Sequence, residues 1–355
     1  MKIGIITVHD SANFGSILQA YALQNFLINA GHEVWFVKTR TREEVKKIYL
    51  GGKRNFIKYI KNYKYNIQKY NCMLPIIDQF PEIDLSEVST ENIDLLIIGS
   101  DELWNINTPF FRNEYFYGIN INTKYKMTYA ISCGNAKSEE LRKYPVLVKG
   151  IKEIDTILVR DDLTQYNIEQ LLGVKPEKVC DPTLLVDKKL FLKDYVVPIN
   201  EKYILIYAYS VHETIEGYIK RYAKENNLKL VAVCMPKAWC DYNIMCDPFQ
   251  FSSLIKKAEC VVTATFHGSI FSILNESKFI VCSELPKVKN ILKQLGAEEQ
   301  LFKGEGYGTF VDCLERNLNY KEINKKMEEQ KEISKGIFLN YLEKYIRQVD
   351  SGEKD

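Results

Sequence analysis

Short, almost uninterrupted apolar runs recur along this chain, each followed by a stretch with helical spacing, and that alternation restricts the folds open to it. Ile93-Asp94-Leu95-Leu96-Ile97-Ile98 is nearly continuous in its hydrophobicity. Such a run reads as a strand buried on both faces, the situation of a parallel sheet covered by helices. Ile3 to Val8, Val34 to Val37, Lys126 to Ile131, Thr156 to Val159, Tyr203 to Ala208, Leu230 to Cys234, Cys260 to Val262 and Phe279 to Cys282 read as further strands. Between them, Ser16 to Ala30 places Ile17, Leu18, Tyr21, Leu23 and Leu27 near helical spacing, with Gly31 as a stop. Glu139 to Lys152, Asp162 to Leu172, Thr214 to Asn226 and Phe251 to Ala258 are expected to be helical too. The alternation lapses around Asp187 to Asn200. The expectation is therefore α/β: two Rossmann-like, doubly wound domains, 1–190 and 200–320, facing each other across a cleft. A final amphipathic helix over 321–350 uses Ile323, Met327, Ile333, Ile337, Leu342 and Ile346, with Gly336 as its weak point.

A chain of 355 residues is long for one core. Its 46% hydrophobic and 26% charged residues exclude a disordered chain. A net charge of +2 provides no general field for nucleic acid. The opening strand and the absence of a long apolar stretch point to a cytoplasmic location. The nine cysteines contain no Cys-x-x-Cys pair, and Cys234, Cys240 and Cys246 match no common zinc spacing, so no metal is expected.

Chemistry concentrates where strands give way to helices. Thr265-Phe266-His267-Gly268-Ser269 follows the Cys260 strand, at the edge where open α/β sheets hold ligands. His267 is a candidate proton donor or acceptor near neutral pH. Gly268 admits close backbone approach, and the new helix offers N–H groups to an anion. A strand-to-helix turn with an incidental histidine would explain the same residues. Asn13-Phe14-Gly15-Ser16 sits in the first such loop: Gly15 can turn tightly or admit a ligand, and Ser16 can cap the helix. With one glycine it is no dinucleotide fingerprint.

Gly99-Ser100-Asp101-Glu102-Leu103-Trp104-Asn105 follows the most apolar strand. Ser100 leaves space there, Asp101 is a candidate base or acceptor anchor, and Trp104 is a candidate for stacking on a sugar ring. Arg160, at the end of another strand, can grip phosphate or carboxylate through its fork, or pair with Asp161 or Asp162. Asp181-Pro182-Thr183 explains itself as a turn. The block from Lys38 to Tyr70 is rich in lysine, arginine and tyrosine, with Ile57, Ile60 and Ile67 at roughly helical spacing. It reads as a solvated flap, as a mobile basic lid over an acceptor, or as a helix lying on a membrane surface; single-stranded nucleic acid is the weaker reading.

Taken in order, Asn13 to Gln24, Ile98 to Asn105, Tyr129 to Gly134, Val159 to Asp161, Asp181 to Leu185 and Thr265 to Ser272 resemble the polysaccharide pyruvyl transferase family. The likeness extends to the region of Lys287 to Leu292. It implies a fold like that of two-domain GT-B glycosyltransferases and phosphoenolpyruvate as donor substrate, with no cofactor. The acceptor it implies is a sugar of a cell-surface polysaccharide or its lipid-linked precursor, modified as a cyclic ketal. Carried onto this chain, His267 is the acid, Asp101 the base or acceptor anchor, and Arg160 the anion grip. Many members have Arg-Leu-His where this chain has Thr265-Phe266-His267, and often arginine where it has Lys287. The anion would then rest on Arg160, Lys287 and the helix start after Gly268. Thr265, Gly268, Ser269, Asn13, Gly15, Ser100 and Trp104 complete the expected substrate-binding set. A nucleotide-sugar glycosyltransferase of the same fold and a non-catalytic glycan-binding relative are the rival readings.

Overall fold

The computed structural model describes residues 1–50, 56–192 and 195–352, with 48–50, 56–62 and 64 as backbone only. Five parallel strands form the first sheet: β1 (Lys2–Ile6), β2 (Glu33–Lys38), β3 (Glu82–Asp84), β4 (Leu95–Ile98) and β5 (Tyr125–Thr128), in the order β3-β2-β1-β4-β5. The short pair β6 (Leu158–Val159) and β7 (Glu177–Lys178) continues it beyond β5 through bridges from Met127 to Thr156 and from Ile131 to Val159. A second parallel sheet repeats the order. Its strands are β8 (Tyr203–Tyr207), β9 (Lys229–Val233), β10 (Tyr242–Ile244), β11 (Cys260–Thr263) and β12 (Phe279–Val281), arranged β10-β9-β8-β11-β12. The fold is α/β with two doubly wound units. In each, strand order reverses at one point, β1/β4 and β8/β11, and a crevice opens there at the carboxyl ends of the strands.

All four residues of β4, and all five of β8, are buried, which is why their sequences lack alternation. The strands that sequence reading overlooks, β3, β7 and β10, are short and lie away from the sheet centres, where burial imposes little pattern. The expected helix over 139–152 is two: Ser138–Leu141 and Pro145–Lys152. Pro145 cannot donate to the preceding turn and instead opens the second helix.

The two units share apolar packing. Phe14, in the Phe14–Asn29 helix, stacks on Tyr207 at 5.7 Å and meets Phe251 at 4.9 Å. Each such buried side chain contributes roughly 1.5–3 kcal/mol relative to exposure. The last helix, Tyr320–Ser351, runs through Gly336 without a break and returns to the first unit. Phe338 packs on Phe26 and Tyr129, and the Tyr345 hydroxyl lies 2.6 Å from Thr156 Oγ1. The Cys180 N–H donates to Ser334 Oγ at 2.8 Å. Satisfied polar groups and an apolar stripe together tie this helix down.

The basic segment forms two helices, Arg42–Leu50 and Phe56–Ile77. Tyr70, Met73 and Ile77 are buried, so that end of the second helix is a fixed part of the first unit rather than a free flap. The Ile57 and Ile60 side chains, on which a membrane-surface reading leaned, lie outside the described residues; Ile67 is half-buried. Among the described residues no helix is long and apolar enough to cross a membrane.

Candidate active site

The loops at the two crevices meet. Asn13, in extended backbone, caps the Phe14–Asn29 helix by accepting the Gly15 N–H at 3.0 Å. The helix therefore starts before Ser16, whose hydroxyl does not cap it but donates to Asp101 Oδ2 at 2.8 Å. Gly15 lies directly under the His267 imidazole: a Cβ there would overlap Nδ1 and Cγ of the ring. A glycine is required because a side chain from the other unit occupies its Cβ position.

Asp101 stands at the carboxyl end of β4 with φ of +84°, a left-handed conformation that a non-glycine residue adopts only when its surroundings compensate. Both of its carboxylate oxygens are bonded. Its Oδ1 accepts the Glu102 N–H at 2.9 Å. Burial disfavours its charge, but the nearby Arg160, Lys287 and His267 outweigh that effect and hold its carboxyl below the ordinary value of 3.8. An ionised Asp101 suits an anchor for hydroxyls better than a strong base.

Arg160 pairs with neither of its sequence neighbours. Asp161 caps the Asp162–Leu172 helix through the Thr164 N–H at 2.8 Å, and Asp162 binds Lys178. The guanidinium instead crosses to Asp181: Nη1 donates to Oδ2 at 2.9 Å, and the group lies 4.6 Å over the Phe266 ring. Its Nε and Nη2 are buried and have no hydrogen-bond partner among the described residues. Burying a guanidinium with two open donors is costly, and the cost is recovered when an anion occupies them.

Asp181 is the residue that sequence reading missed. Asp-Pro-Thr is a sufficient turn signal, and Asp181 Oδ1 does accept the Thr183 N–H and hydroxyl, at 3.0 and 2.7 Å. Its other oxygen is left for Arg160 and for His267, whose Nε2 is 3.8 Å away. Burial works against this charge, and the His267 and Arg160 interactions nevertheless push its pKa far below that of an ordinary carboxylate. His267 is nearly buried, at 9% exposure, but among the described residues no main-chain group is hydrogen-bonded to its ring nitrogens.

Lys287 reaches across from the second unit to Glu102, Nζ to Oε1 at 2.7 Å, and Glu102 is braced by Asn105 Nδ2 at 3.2 Å. Arg160, Asp181, Phe266, Lys287 and Asn290 line a small cavity, and Asp181 also faces His267.

Several expected ligand contacts are spent on structure instead. Thr265 Oγ1 caps its helix by accepting the Gly268 N–H at 3.0 Å, so that donor is not open to an anion. Gly268 is needed because a Cβ would strike the Thr263 and Thr265 hydroxyls, not because a ligand approaches. Ser269 is fully buried, and its hydroxyl donates to the Thr265 carbonyl at 3.0 Å. Ser100 is fully enclosed, its carbonyl accepting from Thr7 Oγ1 at 3.1 Å. Trp104 does not face the cleft: it is completely buried, its indole N–H donates to the Phe116 carbonyl at 2.9 Å, and its ring stacks on Tyr117. The small residues before it make room for packing, not for a sugar.

Comparison with known proteins bears on the family and the fold. The family model "polysaccharide pyruvyl transferase" matches residues 13–285. No curated protein matches in sequence. Solved structures share the GT-B architecture at low identity. A UDP-N-acetylglucosamine 2-epimerase superposes with a TM-score of 0.55 at 11% identity, over 97% of this chain and 96% of its own. The UDP-GlcNAc 2-epimerase from Neisseria meningitidis bound to UDP-GlcNAc gives 0.51 at 12%, over 97% and 100%. An alpha-glucosyltransferase in complex with UDP gives 0.51 at 11%, over 94% of each chain. At such identities the likeness is one of fold.

Proposed function

The chain belongs to the polysaccharide pyruvyl transferase family, and from that premise we propose that it moves the pyruvyl group of phosphoenolpyruvate onto a sugar as a cyclic ketal. The acceptor in this reading is a cell-surface polysaccharide or its lipid-linked precursor, modified in the cytoplasm or at the inner face of the membrane. One observation carries the proposal: His267 and Arg160 converge on a single oxygen of Asp181, and Arg160, which lines a small cavity there, keeps two donors without a partner among the described residues.

Phosphoenolpyruvate carries a phosphate and a carboxylate on one small carbon frame. Arg160 would bind one of them through Nε and Nη2, and Lys287 the other once its contact with Glu102 opens. His267 would protonate the methylene carbon of the enol, leaving the adjacent carbon electrophilic. Asp181 would steady the ring and its charge, the role a buried carboxylate plays beside a general-acid histidine. A sugar hydroxyl then adds to that carbon, passing its proton to the imidazole left neutral by the first step, and phosphate leaves with the C–O bonding pair. The second hydroxyl adds to the resulting oxocarbenium carbon, gives its proton to the departing phosphate, and closes the ketal. Asp101 would hold the incoming hydroxyls, with Ser16 fixing its orientation.

The test mixes purified protein, phosphoenolpyruvate and glycan acceptors, and follows phosphate release together with the mass of the ketal product. Turnover that disappears in His267→Gln supports the assignment; equal turnover in that variant removes His267 as the acid. Thermal stabilisation by a UDP-sugar but not by phosphoenolpyruvate would favour a glycosyltransferase instead.

A further inference from the structure

The second sheet separates two kinds of surface around His267. β11, which leads to His267, lies between β12 and β8. On the β12 side stand Lys287, in the helix after that strand, and the Arg160 guanidinium lying over Phe266. All the uncommitted cationic donors described above lie on that side. On the other side the chain leaves β8 at Tyr207, which is paired with Thr263 of β11, and reaches Tyr209 two residues later. This is the β8/β11 reversal point, where an open α/β sheet forms its crevice.

Tyr209 is 64% exposed there, yet it is held at both ends. Its phenol oxygen lies 3.3 Å from Asn13 Nδ2, on the first unit. Its carbonyl accepts from Lys237 Nζ at 2.9 Å. Asn13 is the same residue whose Oδ1 holds the Gly15 N–H, and Gly15 seats the His267 ring. Two hydrogen bonds thus connect the tyrosine hydroxyl to the floor beneath the imidazole. A lone exposed tyrosine elsewhere on the surface would carry no meaning. This one is pinned where the chain leaves β8 at the reversal point, its hydroxyl on Asn13 and its carbonyl on Lys237.

We infer that Tyr209 is the stacking platform for the acceptor, receiving the apolar C–H face of a pyranose while the donor anion lies on the Arg160 side and His267 stands between them. This deepens the pyruvyl-transfer reading and rests on it for the identity of the two sides. An aromatic face suits the weakly polarised axial C–H groups of a sugar and leaves the hydroxyls at the sugar's edge to hydrogen-bond elsewhere.

The test is saturation-transfer NMR with methyl β-D-galactopyranoside on wild type, Tyr209→Ala and Tyr209→Phe, and it needs no turnover. The platform predicts saturation of the glycoside's axial protons in wild type and in Tyr209→Phe, and an affinity about three- to tenfold weaker in Tyr209→Ala. Binding as tight in Tyr209→Ala as in wild type, or no saturation transfer in wild type, overturns it. The thermal shift with phosphoenolpyruvate is run on the same samples. Retention of that shift in Tyr209→Ala places the loss on the acceptor side; its disappearance means the substitution disturbed the whole cleft and overturns the assignment. Failure of wild type to release phosphate from phosphoenolpyruvate would sink the transfer reaction, yet leave the stacking result standing.

Discussion

The carboxylate of Asp181 faces His267 across the boundary between the two units, Oδ2 to Nε2 at 3.8 Å, while its other oxygen closes a turn in its own chain. One side chain thereby couples local backbone geometry to the proposed acid. Asp181→Asn keeps the turn's acceptor but removes the charge. It should lower kcat by about 10²–10⁴-fold, the range of a lost acid–base arrangement. Arg160 would also be left buried without its counter-ion, at about 3–5 kcal/mol of stability. Chemical denaturation alongside steady-state kinetics separates the two effects.

Gly15→Ala tests whether the histidine's seat matters. The added methyl occupies space held by the imidazole, so the ring must move. Activity should fall by about 10²-fold, the order of loss for an ångström-scale misplacement. The circular-dichroism spectrum should stay that of the wild type.

Acid sensitivity follows from the depressed carboxylates. Asp101 and Asp181 both have pKa values lowered on folding from an ordinary 3.8. A group depressed in the folded state contributes stability above its unfolded value and loses it as pH falls through the folded one. Their contribution is thus complete at neutral pH and starts to be lost below about 4, falling progressively toward the depressed folded values. A series of Tm values from pH 7 to pH 2 should fall less steeply in Asp101→Asn than in wild type; parallel curves would contradict the assignment.

Lys287→Met removes an ammonium from the β12 side and breaks the bridge to Glu102. The KM for phosphoenolpyruvate should rise about tenfold or more, as expected when a charge-assisted contact is lost, with little change in KM for the acceptor. Equal shifts in both constants would place Lys287 in general cleft architecture instead.

Trp104→Phe separates packing from recognition. The indole is enclosed and hydrogen-bonded to the Phe116 carbonyl, so the variant should lose about 1–3 kcal/mol of stability. Its KM for the acceptor should match that of wild type.

Fold class was legible in the chain because it follows from local statistics. Fully buried parallel strands leave continuous apolar runs such as Leu95–Ile98 and Tyr203–Tyr207, and helices between them leave a 3.6-residue period. The same reading singled out His267, Asp101, Arg160 and Lys287, which the fold brings near one another, since charged or titratable residues at the carboxyl ends of buried strands are conspicuous. It failed for Trp104, because a side chain that stacks on a sugar and one that fills a core look alike in sequence. It also failed for Asp181, whose turn-forming role was a complete local explanation that concealed a second one.

What the amino-acid order determined by itself was the alternation of elements, and with it which residues stand at strand ends. Tertiary structure alone decided who meets whom: Gly15 with His267, Arg160 with Asp181, Lys287 with Glu102, Asn13 with Tyr209. Three of these four pairs join the two units, and the fourth joins separate loops of one. Periodicity reports a residue's relation to its own helix or strand. Contacts between distant segments depend on how two separately formed surfaces dock, which no local pattern encodes.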